Sequence, residues 1–524
     1  MARSWRRGTG LSFSRRSAFA AGAGSPSASV TWKADSVREV LRGTGFLLHV
    51  PGLMALLSIP VAGWADEWWG AWGFALTAAI ALITGQSLVR ATRGRDRFYR
   101  YHSMLIAGIS WVLIAIIGAI PVFVSAHLAP LSAEAAMQLF RQPAHAFFES
   151  VSGFTSTGLT VVAAASELPH HIQWWRSFSQ WVGGIGVILL LLAIVPAERG
   201  AINLYFSEAR DEKILPTVKS TVQTMWAIYV GYTLSAIALL WIVGEPPWRA
   251  INHGMTAIAT GGFTITDDSL MSAPEHVQLA YVPIMLAGAV SFLIHYRLIV
   301  ERVSPRSLWE LVEVRVLVWV LLGGFLLLWG QRWLTLGSDT LISSVLVWVS
   351  AITSAGFAAA DLSAWADAAL LLVLMAVLMG GMAGSTSGGI KLLRVGLLLK
   401  DLVGQLRSLR ATPHEVVVLR YDGARITPAQ MASLGHTALR LVGIFMLLWL
   451  LGVFVMLHWL PADTRLAHVF FDTASALFNS GLGTGVAGPD LEPGAAVVLS
   501  VLMLLGRLEV FPLLLLVAFL LGRR

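Results

Sequence analysis

Apolar stretches of about twenty residues recur from Leu41 to the last residues before Arg523 and Arg524. A helix rising 1.5 Å per residue crosses roughly 30 Å of hydrocarbon in that length. Ten such spans are expected, at 41–61, 68–89, 104–126, 174–196, 222–244, 278–298, 314–333, 368–390, 438–459 and 495–520. The pattern predicts an all-α polytopic membrane protein. Composition agrees, because 56% of the 524 residues are hydrophobic and only 13% charged, where a soluble domain carries about a quarter charged residues. There is no cysteine, which excludes a disulfide framework, a thiolate metal site and a cysteine nucleophile.

The net charge of +7 raises the question of a nucleic-acid partner, but placement gives it another meaning. With a cytosolic N-terminus, 29 of the 37 Lys and Arg fall in cytosolic segments and every Lys is inside, as the positive-inside rule requires. Outside lie only Arg141, Arg176, Arg249, Arg332 and Arg465, while Arg42, Arg440 and Arg507 fall within spans. Residues 1–40 read as a basic cytosolic tail without the apolar core of a secretory signal, although a transit peptide shares its Arg- and Ser-rich look. Both termini are expected in the cytosol, and no nucleic-acid partner is expected.

Four outer connections open with an apolar stretch too short to cross and end in a turn of small residues. They align on one glycine each: Ser152-Gly153-Phe154-Thr155-Ser156-Thr157-Gly158-Leu159, Thr256-Ala257-Ile258-Ala259-Thr260-Gly261-Gly262-Phe263, Ser350-Ala351-Ile352-Thr353-Ser354-Ala355-Gly356-Phe357 and Ser475-Ala476-Leu477-Phe478-Asn479-Ser480-Gly481-Leu482. Ser or Thr stands six places before each glycine, Ser, Thr or Asn two before, and Leu or Phe one after. The chain therefore reads as a tail (1–40), a helical hairpin (41–89) and four tandem repeats of span, short helix, turn and span, at 104–196, 219–298, 314–399 and 438–521.

Irregular backbone is tolerated at membrane depth only where protein or a water-filled path satisfies it, so four such turns should converge on one axis. Glycine permits positive φ, which lets carbonyl oxygens turn inward and replace the hydration of a cation. The candidate filter is Ser156, Thr157, Gly158 and Leu159 with Thr260, Gly261, Gly262 and Phe263, then Ser354, Ala355, Gly356 and Phe357, and finally Asn479, Ser480, Gly481 and Leu482. Ser156, Thr260, Ser354 and Asn479 are expected to offer side-chain oxygens as additional ligands. A single such turn is ordinary helix packing; four in matched register point to a pore.

The span from 368 carries five glycines within 380–389, and each costs a helix up to about 1 kcal/mol relative to Ala. It is expected to break near Gly380 into an intramembrane loop, with a merely kinked helix as the alternative. Gly380, Gly381, Ala383, Gly384, Ser385, Thr386, Ser387, Gly388 and Gly389, with Arg507, are the candidate gate. Arg507 costs roughly 3 kcal/mol if it faces lipid, so it should face the cavity or a partner.

These motifs resemble the Trk, Ktr and HKT superfamily of cation transporters, and within it the TrkH-type subunit of bacterial potassium uptake. Phe148 to Gly158 looks like the first pore loop of that family and Ala259 to Phe263 the second. Gln180-Trp181-Val182-Gly183-Gly184-Ile185-Gly186 resembles the span after the first filter, and Gly380 to Lys391 the glycine-rich interruption after the third. Met382 and Ser291 depart from the pattern, standing where Ser and Asn are expected. The resemblance implies potassium as the substrate, since glycine rather than Ser stands at 158. It also implies an Arg507 near the gating loop, a homodimer in the bacterial inner membrane, and a separate TrkA-like nucleotide-binding subunit docked on basic cytosolic loops.

No enzyme motif appears. His-Glu-x-x-His is missing, Asp267-Asp268 stands alone, and His170 and His171 are expected on different faces, so no cofactor is expected. His253 and His295 read as packing or interfacial residues. The competing reading is a proton- or sodium-coupled carrier that uses broken helices and alternating access. Such carriers usually pair inverted halves, whereas these four repeats share one orientation.

Overall fold

The computed structural model describes residues 34–92, 100–186, 218–337, 341–410, 412 and 419–521. Among the described residues, six helices are long and apolar enough to cross a membrane: Val37–Trp64, Trp68–Ala91, Tyr101–Leu128, Ser220–Ile242, Val312–Thr335 and Pro428–Met456. The first two form a hairpin so close that the carbonyl of Gly85 would lie 2.8 Å from a Cβ at Gly45. Their tip carries Glu67, which accepts hydrogen bonds from the backbone N–H groups of His170 and His171, both at 2.9 Å. Both rings also turn their Nδ1 to the same carboxylate, at 3.3 and 2.5 Å. The two rings face apart as expected, His170 half exposed and His171 buried, and meet only at this carboxylate, because at the first turn of a helix one acceptor reaches two successive residues.

Each repeat contributes a long outer helix, a short helix and an inner helix. The short helices are Pro143–Phe154, Pro247–Ile258, Leu341–Thr353 and Leu466–Leu477, of 12, 12, 13 and 12 residues. At 1.5 Å per residue they reach about 18–20 Å, well short of the hydrocarbon thickness. Large apolar side chains on the hairpin and the outer helices, such as Trp72, Trp241, Leu327 and Leu447, are exposed, as a surface solvated by lipid tails allows.

The inner helices depart from the sequence expectation. Residues 278–298 do not form one span, because Glu275–Ala289 and Phe292–Ile299 meet at 100°. Val290 is extended there, Ser291 starts the next helix, and the released N–H of Phe292 donates to Gly384 O at 3.1 Å. Residues 495–520 are likewise divided, Pro493–Arg507 meeting Phe511–Leu520 at 116°. Glu509 and Val510 take φ of 50° and 71° at that corner, and Pro512 follows at the start of the next helix. In the first repeat His170–Ile185 stops at Gly186 (φ 106°), and the rest of the expected 174–196 span lies outside the described residues. Asp367–Met379 stops at Gly380 (φ 68°), where the glycine-rich stretch begins.

On the basic side, Leu392–Arg410 runs alongside the start of Pro428–Met456. Between them Leu419–Tyr421 pairs antiparallel with Ala424–Ile426, the only strands among the described residues.

Candidate ion pathway

All four short helices end in the same closure. Ser156, Thr260, Ser354 and Asn479 adopt left-handed φ of 54°, 50°, 53° and 49°. The next residue then donates its N–H back to the carbonyl of Ser152, Thr256, Ser350 or Ser475, at 2.9 Å in every case. This is the six-to-one bond of a Schellman motif, which closes a helix C-terminus. Two residues after the left-handed one, Gly158, Gly262, Gly356 and Gly481 take φ of 96°, 79°, 80° and 82°. The turn thus needs positive φ twice, and the alignment foresaw only the glycine.

The turns touch one another in order. A Cβ on Gly262 would stand 2.6 Å from the carbonyl oxygen of Ala355, and one on Gly356 would stand 3.0 Å from that of Ser480. On Gly158 it would overlap Gly261 O, and on Gly481 it would overlap Thr157 O. Each repeat therefore meets the next and the fourth meets the first, so the four glycines close a ring. Leu159, Phe263, Phe357 and Leu482 are buried.

The side chains two places before the glycines are not arranged as expected. Ser156 Oγ donates to Gln180 O at 3.1 Å, and Thr260 Oγ1 donates to Ala259 O at 2.8 Å. Asn479 Nδ2 reaches Thr157 Oγ1 at 2.8 Å and Met503 O at 2.9 Å. A left-handed residue points its Cβ away from the direction its neighbours' carbonyls take, so these side chains brace neighbouring backbone. Ser354 Oγ is buried without a partner among the described residues.

Other residues form a supporting shell. Gln180 spans the second turn, donating to Gly261 O at 2.7 Å and accepting from Phe263 N at 3.0 Å. Buried Arg176 pairs with buried Glu149 at 2.7 Å, donates to Thr264 O at 3.0 Å, and lies 4.2 Å from the Phe263 ring centre. Gly183, Gly288 and Gly506 press against the last carbonyls of the short helices, those of Phe154, Ile258 and Leu477, where a Cβ has no room. With Gly381 they stand 25 or 26 residues after the anchoring glycines; extending the repeat alignment into the inner helices would have found them.

The stretch after Gly380 folds as a loop tied to three repeats. Thr386 Oγ1 donates to Gly288 O at 2.9 Å and its backbone N–H to the same oxygen at 3.1 Å, while Thr260 Oγ1 lies 3.1 Å away. Gly389 N donates to Phe478 O at 2.8 Å, and Ala383 N to Glu313 Oε1 at 2.8 Å. Ser385 and Ser387 hydroxyls lie 2.8 Å apart, and Lys391 Nζ donates to Ser387 O. Gly380 and Gly389 sit back to back at the neck. The unexpected Met382 and Ser291 lie on this loop and on the broken helix beside it, Met382 N donating to Ala289 O at 3.0 Å. Arg507 donates to Gly183 O, to Gly184 O at 2.9 Å and to Thr386 O at 3.5 Å. It thereby links the ends of the first and fourth inner helices to the loop. Glu509 pairs with Arg394 just beyond the loop at 2.5 Å. A small polar cavity between the loop and the fourth repeat is lined by Ser385, Ser387, Lys391, Asn479 and Arg507.

His253 and His295 fit the packing reading, buried against Tyr281 and Tyr232 respectively. The model of the TrkH family, described as a cation transport protein, matches residues 73–523. The chain belongs to this family. Among its relatives, the Trk system potassium uptake protein TrkH of Salmonella typhimurium is 31% identical over 482 residues, covering 89% of this chain and 94% of the relative. The protein of the same name from Halomonas elongata is 31% identical over 494 residues, covering 91% and 97%. The crystal structure of the potassium transporter TrkH from Vibrio parahaemolyticus superposes with a TM-score of 0.77 at 27% identity, covering 92% of this chain and 98% of that one. A TrkH-family chain is a membrane transporter, not an enzyme.

Proposed function

We propose that the protein carries potassium into the cell through the ring of glycine turns, which acts as its selectivity filter, and that the glycine-rich loop after Gly380 gates the path. The observation that carries this reading is the ring itself: four turns with one φ pattern, each glycine meeting the backbone of the next repeat. Carbonyl oxygens held by such a ring can replace the water around a dehydrated cation. The names of the Salmonella, Halomonas and Vibrio relatives support potassium as that cation. Below the ring, Thr386, Ser385 and Ser387 obstruct the path, and Arg507 adds a positive charge that opposes cation passage until it moves.

The basic segment from Lys391 to Arg425 faces the cytosol in this reading and docks a TrkA-like nucleotide-binding subunit, with both termini inside and the chain paired as a homodimer in the inner membrane. The test is a reversal-potential measurement on purified protein in liposomes under crossed potassium and sodium gradients. A potential that follows potassium supports the filter; one indifferent to the cation overturns it. A superimposed pH gradient distinguishes a passive pore from coupled alternating access, which broken inner helices can also serve.

A further inference from the structure

Nine residues before each anchoring glycine stand Glu149, His253, Val347 and Asp472. Three of these can accept a hydrogen bond, and all three do so from the residue three places after the glycine. Val161 N donates to Glu149 Oε2 at 3.4 Å, Ile265 N to His253 Nε2 at 3.0 Å, and Thr484 N to Asp472 Oδ1 at 2.7 Å. The short helix thus holds the strand leaving its own turn, by a different side chain each time but at one register. Asp472 holds it most firmly, accepting also from Thr484 Oγ1 at 2.8 Å, Val486 N at 3.0 Å and Ala487 N at 3.2 Å. Because Ile265 N–H must donate, His253 is the tautomer with a free Nε2 lone pair, and its Nδ1–H is left for Tyr281 Oη at 2.7 Å.

Val347 offers no acceptor. In the third repeat the bond comes from outside: Ala358, two residues after Gly356, donates its N–H to Ser269 Oγ at 3.0 Å and accepts from Leu270 N at 3.0 Å. Ser269 belongs to the second repeat and is held at φ 57°. The second repeat therefore braces the rim of the third.

We infer that Glu149, His253, Asp472 and Ser269 are positioning residues that fix the outer rim of the filter and thereby set its discrimination between potassium and sodium. The inference rests on the filter reading above. A carbonyl ring distinguishes two cations of equal charge only if its backbone resists collapsing onto the smaller one, and a tie on each exit strand supplies that resistance. Cutting a tie should lower discrimination before it lowers flux.

The experiment measures the potassium-to-sodium permeability ratio of the full chain in liposomes. Asp472→Val, which gives the fourth repeat the residue of the third, is expected to lower the ratio about tenfold, equivalent to ~1.4 kcal/mol. Asp472→Asn keeps an acceptor for Thr484 without the charge and should fall between Val and wild type. Ser269→Gly removes the hydroxyl at a position where positive φ costs glycine nothing, and should lower the ratio several-fold with an unchanged melting temperature. A ratio unchanged in Asp472→Val and Ser269→Gly, with wild type selective, overturns the inference alone. Equal losses in Asp472→Asn and Asp472→Val assign the effect to charge and overturn it too. A wild type without potassium preference removes the filter reading and this inference together. Should Asp472→Val fail to fold, Ser269→Gly and Asp472→Asn decide.

Discussion

Two glycine-rich regions of the chain are built on opposite principles. The four turns of the ring are closed from within, by a bond from the residue after the left-handed position to a carbonyl five residues earlier. The loop from Gly380 to Lys391 is held from without, by Gly288, Phe478, Glu313 and Arg507, which belong to four different elements. A locally closed turn keeps its shape when its neighbours shift, whereas a loop held by distant partners keeps its shape only while they stay in place. The first property suits a filter and the second a gate.

The largest effect should come from removing the externally held region. Deleting Ala383 to Gly388 takes away Thr386 with its ties to Gly288, and the Ala383 tie to Glu313, while leaving every residue of the ring in place. Basal potassium flux in liposomes should rise by an order of magnitude or more, with the permeability ratio retained. Loss of flux with cation binding preserved would make the loop a structural support and erase the functional half of the contrast.

Single glycines sharpen the same contrast. Gly158→Ser places a side chain at φ 96° and against the carbonyl of Gly261, with only backbone to receive it. The potassium-to-sodium ratio should fall about tenfold, or ~1.4 kcal/mol. Gly384→Ala also meets a positive φ, 73°, but the nearest atom to its Cβ is Ser291 Oγ at 3.2 Å. It should alter basal flux a few-fold and leave the ratio alone. Ion-selective flux assays on both variants check this; an unchanged ratio in a well-folded Gly158→Ser protein would displace the assigned register.

The sequence made one of these regions more legible than the other. Ring register followed from four aligned segments because a Schellman closure has a fixed local spacing, and the stop at Met379 followed from glycine content. The corners at Val290–Ser291 and Glu509–Val510 left a weaker trace: 278–298 and 495–520 are each apolar enough to read as one span despite Ser291, Arg507, Glu509 and Pro512, and a partner remote in sequence, Gly384 O, meets the freed N–H of Phe292. The direction of the Ser156, Thr260 and Asn479 side chains was illegible for a related reason. Side-chain type says what a group can bind, while left-handed backbone decides where it points. Glu149 and Gln180 stood within recognised motifs, but Glu149 acts on the exit of its own turn through Val161 and Gln180 reaches into the second repeat, and neither partner is marked by local spacing.

A weaker effect is expected from the basic segment that follows the loop. Arg407 and Arg410 are exposed on Leu392–Arg410, the helix whose first turn pairs with Glu509 through Arg394. Under the docking reading, reversing both to Glu should reduce capture of the soluble regulatory subunit several-fold at low salt and less at high salt, since exposed charges are screened. Selectivity of the unregulated pore should not change. If the charges only orient the loop across the membrane, insertion would suffer while capture per inserted chain stayed constant. Pull-down at two salt concentrations, normalised to folded protein, separates the two.

The smallest effect belongs to Glu67 at the hairpin tip, whose hydrogen bonds go to His170 and His171, and serves as the control for both glycine regions. Burial alone would raise the Glu67 carboxyl, but the His171 ring and the backbone N–H groups of His171 and His170 outweigh it and hold its pKa at about 2, against an ordinary value of 4.5. A carboxylate whose pKa falls on folding stabilises the folded state above its unfolded value, and that contribution disappears as pH drops toward the folded one. The melting temperature of wild-type protein should therefore exceed that of Glu67→Gln by a few degrees near neutrality, and the gap should narrow between pH 4.5 and about 2. Scanning fluorimetry of the two proteins across that range measures it. The permeability ratio of Glu67→Gln should equal wild type at neutral pH, because Glu67 bonds to the start of the first inner helix and not to a residue of the ring. A gap independent of pH would locate the stabilisation in packing around His171, and a changed ratio would show that the ring depends on more than its own closure.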